Sequence, residues 1–266
     1  MHKSLRMKYY YREHIRGYQQ VRAEGKTAWA EIHGCAGFEN FASRAFLEKA
    51  LPLLHFSVPH PMVLEYGCGT GPGACFLAER GFQVDGTDII PLAIEMAKEL
   101  AEERNLSIHY EVQDICELPH EGKLYDMIVD SYCLQGIVTD EDRQKVFAAV
   151  RARLKAEGYY LISSAIFDES RYRPDDTILD ARSGIVYNRY GESMIIDMQS
   201  SIVYARLEEG PDDYEDAIQI GGAWYLPVRR HRKPPALKVE LEAAGFDMSY
   251  VDVEYQDCEH MICVPR

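Results

Sequence analysis

Positive charge is scarce in this 266-residue chain: 29 lysines and arginines stand against 43 aspartates and glutamates, a formal net charge of −14. A sequence-independent grip on nucleic acid or on an anionic bilayer needs clustered positive charge, so neither partner is expected. No apolar run approaches the roughly 18–20 residues that cross a membrane. Met1–Gln20 is rich in Tyr, Arg and Lys and lacks the apolar stretch of a signal peptide. Internal repeats and Gly/Ser- or Pro-rich linkers are missing too. The seven cysteines (35, 68, 75, 116, 133, 258 and 263) form an odd, scattered set rather than a disulfide framework. Several lie inside apolar stretches, where a free Cys behaves as a small buried hydrophobe. A reduced, soluble, cytoplasmic protein is expected, as a monomer or homodimer. The hydrophobic fraction of 47% is ample for a sizeable core and excludes wholesale disorder.

What is present is an alternation of strand and helix patterns. Met62–Tyr66 is a short apolar run that ends in a glycine cluster, and Phe82–Asp88, Ser107–Val112, Tyr125–Asp130 and Tyr159–Ile166 come after it as further strand candidates. Pro91 opens a helix in which Leu92, Met96 and Leu100 share a face with Ala93, Ala97 and Ala101. Thr139 with Asp142 fits a capping box, and the helix behind it, carrying Val146, Phe147, Val150 and Leu154, is expected to end at Gly158. Strands alternating with helices imply βαβ crossovers, a parallel sheet and an α/β fold. The C-terminal part differs: a helix over Pro235–Ala244 precedes two strand-like runs, Met248–Tyr255 and His260–Val264, too close in sequence to be parallel. Phe167 to Lys233 far exceeds the roughly 12–15 residues beyond which structureless loops are uncommon. Its alternating runs, Ile185–Tyr190, Met194–Met198 and Ile202–Leu207, predict a small antiparallel lid. The first 61 residues read as a helical cap, with Phe38–Leu54 its clearest segment. The expected division is therefore a cap over 1–61, a core over 62–166 and 234–266, and a lid over 167–233.

The chemistry concentrates at Glu65-Tyr66-Gly67-Cys68-Gly69-Thr70-Gly71-Pro72-Gly73. Glycines after a buried strand let the backbone turn sharply and approach a ligand, with a helix N-terminus behind them. The dinucleotide fingerprint Gly-x-Gly-x-x-Gly fails here, because Pro72 stands where its third glycine belongs. Glu65 followed by Gly67, Gly69 and Gly71 instead resembles the first motif of the class I S-adenosylmethionine-dependent methyltransferases. A carboxylate beside the turn suits a cofactor carrying an ammonium group. Asp88, with Ile89 beside it, ends the second strand about 20 residues on, where the resemblance implies a carboxylate that accepts the ribose hydroxyls. Gln113-Asp114-Ile115 comes after the third strand, where it implies an Asp for the adenine amine and a neighbour packed on the ring. Leu154-Lys155-Ala156-Glu157-Gly158 resembles the passage before the family's fifth strand, with Ala156-Glu157 replacing its Pro-Gly. The resemblance covers about half of the chain. It implies a Rossmann-like sheet of seven mostly parallel strands with an antiparallel last strand, and S-adenosyl-L-methionine as cofactor. For Glu65 the competing reading is a helix cap; for Asp88 and Asp114 it is an ordinary turn residue. Asp130 and Ser131, leaving the fourth strand, are candidates for cofactor contact, and Tyr132 for cofactor contact or the acceptor pocket.

Other patterns carry less. Gly25-Lys26-Thr27 lacks the first glycine and the strand of a P-loop, and His120-Glu121 lacks the second His of a zinc protease. Cys258, His260 and Cys263 lie on an expected hairpin without a fourth ligand, so no metal is expected. The Pro-Cys dipeptide of cytosine-C5 enzymes and the proline motif of amino-methylating DNA enzymes are missing, which with the acidic charge points to a small-molecule acceptor. The lid holds Tyr172, Tyr187, Tyr190, Tyr204, Tyr214, Trp224 and Tyr225 as candidate pocket walls, with a core of the lid's own as the competing reading. Arg229-Arg230-His231-Arg232-Lys233 reads as a solvated basic run or as a clamp for an anionic acceptor. The resemblance implies that the N-terminal segment, with Tyr9, Tyr10, Tyr11, Trp29 and His33, covers the cofactor, and His33 is the candidate base in it. A cofactor-binding module without transfer activity, and a protein or tRNA methyltransferase, remain the alternative readings.

Overall fold

The computed structural model describes residues 8–29, 31, 38–171, 174–190, 193–208, 210, 214, 216–252 and 258–266. The first helix, α1 (Tyr9–Ala23), is followed by α2 (Arg44–Ala50). The alternating region then gives β1 (Met62–Tyr66), α3 (Pro72–Ala78), β2 (Gln83–Asp88), α4 (Pro91–Glu103), β3 (His109–Val112), β4 (Tyr125–Ser131), α5 (Asp140–Arg153) and β5 (Leu154–Ala165). After it come six lid strands: β6 (Thr177–Leu179), β7 (Val186–Tyr190), β8 (Met194–Asp197), β9 (Ile202–Arg206), β10 (Ile218–Ile220) and β11 (Ala223–Arg230). Helix α6 (Pro234–Ala243) and strands β12 (Phe246–Asp252) and β13 (Cys258–Pro265) close the chain.

Seven strands form one sheet in the order β12-β13-β5-β4-β1-β2-β3. β5, β4, β1, β2 and β3 are mutually parallel, and β13 is antiparallel to both of its neighbours. Alternate residues of the central strands feed two apolar layers. Leu64, Tyr66, Ile128, Tyr160 and Ile162 belong to one layer. Val63, Met127, Val129 and Leu161 belong to the other. The six lid strands make a second, wholly antiparallel sheet in the order β10-β11-β9-β8-β7-β6. The expected α/β class, the antiparallel last strand and the lid after the fifth strand are all present.

Three boundaries differ from expectation. Helix α5 ends at Arg153 rather than Gly158, because Leu154 already pairs with Tyr125 and starts β5. Its N-terminus is as expected: Thr139 Oγ1 accepts from the Asp142 amide at 3.1 Å and donates to the Asp142 carboxylate at 2.9 Å. Phe38–Leu54 is not one helix. It divides into a turn of 3₁₀ helix at Phe38–Asn40, α2, and a second 3₁₀ turn at Leu51–Leu53, where Pro52 cannot extend the α-helical ladder.

The basic run at the end of β11 is mostly withdrawn from solvent and is not a cluster of free cations, although Lys233 is exposed. Arg229 pairs with Glu13, Arg230 with Asp140, Arg232 with Glu240 and Asp140, and Lys233 with Glu169. These pairs fasten the lid's last strand to α1, α5 and α6. The lid aromatics build the lid's interior. Tyr187 is buried with Ile195 and Ile220, and Tyr204 and Tyr225 pack against them. Tyr214 and Trp224 pack on the main core. Tyr172 lies outside the described residues.

Candidate active site

The C-terminal ends of β1, β2, β3 and β4 open into a cavity of about 350 Å³, within the roughly 300–1,000 Å³ of small-molecule sites. Its floor is the glycine turn. Gly67 and Gly69 have φ of +59° and +56°, a left-handed backbone that costs glycine nothing. A β-carbon on Gly67 would stand 2.4 Å from Cys133 Sγ, and one on Gly69 would stand 2.8 Å from the Tyr18 hydroxyl. Gly71 is the left-handed residue that starts α3, outside the cavity wall.

Glu65 sits at the mouth of that turn, 1% exposed. Its Oε1 accepts from Ser131 Oγ at 3.1 Å, and Ser131 is held by Ser43 at 2.8 Å. Its Oε2 is buried and has no partner. Burial pushes the Glu65 carboxyl up to about 8, against the pull of the Ser131 hydroxyl and the Ala74 amide. A half-satisfied buried carboxylate in a cavity wall is an incomplete arrangement that a cationic ligand would complete. The helix-cap reading of Glu65 is therefore only half of its environment.

Asp88 closes the adjacent wall. Its Oδ2 accepts from the Gly69 amide at 3.0 Å and its Oδ1 from the Ile90 amide at 2.8 Å. These bonds fix the carboxylate while leaving a lone pair on each oxygen. Burial raises its pKa; the Ile90 amide, His14 and the Gly69 amide oppose the rise. Asp114 caps the short 3₁₀ turn Ile115–Glu117 through the Cys116 amide at 2.9 Å and accepts from the Tyr10 hydroxyl at 2.6 Å. Ile89 and Ile115 line the same space, as do Ser131 and Tyr132. Tyr132 has a φ of +65° and meets the His260 ring edge-on at 6.1 Å.

Asp130 is placed differently from the other candidates. It is fully buried behind the wall, and its Oδ1 accepts from the Cys133 and Leu134 amides at 2.8 and 3.1 Å. Burial pushes it up to about 7. It shapes the turn after β4 rather than bordering the cavity. His33 lies outside the described residues.

Of the roof, Tyr10 and Trp29 are among the covering residues expected from the sequence, while His14 and Tyr18 are not. Tyr10, His14 and Tyr18, spaced four apart on one face of α1, all line the cavity. Trp29 joins them, its ring 5.5 Å from His14 and 5.0 Å from Tyr18. From the lid only Val228 and Arg229 reach the wall among the described residues. The thiols of Cys68 and Cys133 are raised by burial, which disfavours a nucleophilic thiolate. No cluster of three metal-ligating side chains exists among the described residues, and no described helix is long and apolar enough to cross a membrane.

Residues 63–158 match the model of a methyltransferase domain family. A 2-heptyl-1-hydroxyquinolin-4(1H)-one methyltransferase of Mycobacteroides abscessus is 31% identical over 128 residues, covering 48% of this chain and 55% of its own. A ubiquinone biosynthesis O-methyltransferase of Rickettsia typhi is 33% identical over 112 residues, covering 42% and 44%. The chain thus spans about half the length of the curated relatives it matches. The solved Burkholderia thailandensis 1,6-didemethyltoxoflavin-N1-methyltransferase, with bound 1,6-didemethyltoxoflavin and S-adenosylhomocysteine, shares the fold. It has a TM-score of 0.57 at 16% identity, over 100% of this chain and 93% of that one.

Proposed function

We propose that this protein is an S-adenosylmethionine-dependent methyltransferase acting on a small-molecule acceptor. The observation that carries the reading is the partnerless buried Oε2 of Glu65 at the glycine turn. The residues present fit the cofactor: a carboxylate for an ammonium group, a fixed Asp88 carboxylate for hydroxyls, and an Asp114-Ile115 pair for a base. When bound, the cofactor supplies an electrophilic methyl on a sulfonium sulfur.

The chain's contribution is orientation and exclusion of water. Glu65, steadied by Ser131, holds the amino-acid end, and the Gly67–Gly69 backbone lets the ligand lie close. The Tyr10-His14-Tyr18 face and Trp29 cover it. Tyr132, Val228 and Arg229 bound the side left for the acceptor. The buried phenols of Tyr10 and Tyr18 are raised by desolvation, so both stay protonated and act as donors.

The test is calorimetric binding of S-adenosylhomocysteine, then cofactor turnover against pooled metabolite extract with mass spectrometry for the gain of one methyl. Absence of binding overturns the reading. Binding with no turnover in any pool favours a module that has lost transfer.

A further inference from the structure

Neighbouring residues of a strand point to opposite sides of its sheet. Val228 and Arg229 break this rule, since both line the cavity. The register between β11 and β9 explains it. Pro227 lies opposite Tyr204 and Arg229 opposite Val203, so Val228 is an extra residue, a bulge that re-aims the next side chain. Pro227, which cannot donate to a ladder, marks the same spot. The bulge puts Arg229 on the cavity wall, where it is the only lysine or arginine among the described residues, while its guanidinium rests on Glu13 beside that wall. The other arginines of the run are spent on the core: Arg230 on Asp140 and the Val138 carbonyl, Arg232 on Glu240 and Asp140.

Arg229 has an internal partner, Glu13 of α1, at 2.5 Å, and both side chains are partly exposed, at 24% and 29%. An ion pair with that exposure contributes little to stability. Glu13 is therefore exchangeable for a ligand carboxylate, which a guanidinium can bind with two parallel hydrogen bonds. The three carboxylates of the wall do not compete for it: Glu65, Asp88 and Asp114 are bound to Ser131, to the Gly69 and Ile90 amides, and to Tyr10 and the Cys116 amide. The same cavity wall offers apolar surface from Val228, Ile137 and Trp29.

Resting on the methyltransferase reading of this cavity, we infer that Arg229 selects an anionic acceptor, an organic acid with a carboxylate or comparable planar anion on an apolar body, and that Glu13 holds its place until the acceptor arrives. Arg229 is thus a specificity residue and Glu13 an exchangeable partner.

The probes are 4-fluorobenzoate and 4-fluorobenzamide, matched in shape and different in charge, titrated by ¹⁹F NMR into the full chain with and without S-adenosylhomocysteine. In the parent, the benzoate binds about tenfold or more tightly than the benzamide, as expected for charge-assisted contacts. Arg229→Gln removes the difference. Glu13→Gln releases the guanidinium and tightens the benzoate about threefold or more. A latch with no binding role makes the opposite claim, because both substitutions break the same ion pair and must act alike. Equal binding of the two probes, no binding of either, or parallel effects of the two variants overturns the inference. Failure of the parent to bind S-adenosylhomocysteine overturns the methyltransferase reading instead, while the titration of the unloaded chain still reads Arg229.

Discussion

Glu65 and Gly73 touch through the lack of a side chain: a β-carbon at 73 would stand 2.2 Å from Glu65 Oε1 and 3.0 Å from Oε2. Gly73 is the second residue of α3, where glycine costs up to the roughly 0.8–1 kcal/mol of a helix interior relative to alanine. Gly73→Ala therefore separates two effects. Helix propensity alone would give a slightly more stable protein with unchanged affinity. The contact with Glu65 requires the carboxylate to move, so S-adenosylhomocysteine affinity falls more than about tenfold, about 1.4 kcal/mol. Calorimetry beside a thermal melt distinguishes the outcomes.

The same carboxylate gives the site a pH dependence. Burial holds Glu65 up to about 8, from an ordinary 4.5. Between those values the folded state binds a proton that the unfolded state has released, so this group's contribution to stability is full below about 4.5 and is lost as pH rises through about 8. A cationic ligand group opposite Oε2 favours the ionised form, so binding expels the proton. Affinity for S-adenosylhomocysteine accordingly rises from pH 6 to about 8, and the binding enthalpy varies with the buffer's ionisation enthalpy. Glu65→Gln binds more weakly and loses both dependences. His260, whose pKa burial lowers, contributes to stability with the opposite sign, so the comparison is between the two proteins and not between pH values of one.

Asp88 offers a sharper localisation. Each of its oxygens already holds a backbone amide, so Asp88→Ala removes the ligand contacts and loosens the glycine turn together. Asp88→Asn keeps the shape but replaces one acceptor by a donor that faces an amide. Both weaken S-adenosylhomocysteine by at least about tenfold, each charge-assisted bond contributing about 1.5–3 kcal/mol. Unchanged affinity in a folded Asp88→Ala protein would remove the residue from the site.

The floor of the site was legible because strand, glycine spacing and carboxylate positions are local patterns, and the structure brings Glu65, Gly67, Gly69, Asp88, Asp114 and Ser131 together. The roof was legible only in part, for a physical reason. Helix α1 is polar on average, and Tyr10 and Tyr18 are both buried in core clusters while lining the cavity, so the sequence points to Tyr10 and Trp29 as cover but nothing marks His14 and Tyr18. Strand β11 was hidden by Pro227, which argues against a strand unless a bulge relieves the ladder. Asp130 shows the limit of reading by position alone: the end of β4 is near the chemistry, yet its carboxylate turns back to the Cys133 and Leu134 amides.

The lid can be separated from cofactor binding. Its strands pair only with one another in the six-stranded sheet, and the described residues it gives to the cavity are Val228 and Arg229. The residues assigned to the cofactor all lie before it in the chain, from Glu65 to Ser131. Replacing 168–232 with a short Gly/Ser linker therefore leaves S-adenosylhomocysteine affinity within about tenfold, or about 1.4 kcal/mol. Transfer to the acceptor is lost, because the lid supplies both a wall and the guanidinium. The replacement also strips the lid-side partners from Glu13, Asp140 and, through Arg232, part of Glu240. It further removes the buried Arg230 and uncovers the core that Leu207 and Leu226 join, while the buried pair of Arg143 with Glu240 at 2.7 Å remains to fix α6 on α5. Circular dichroism and a thermal melt check that the truncated chain is folded, with a lower melting temperature expected from the lost core contacts. A folded truncation that binds cofactor and still methylates the parent's acceptor at the parental rate would show that this sheet is no part of the acceptor site.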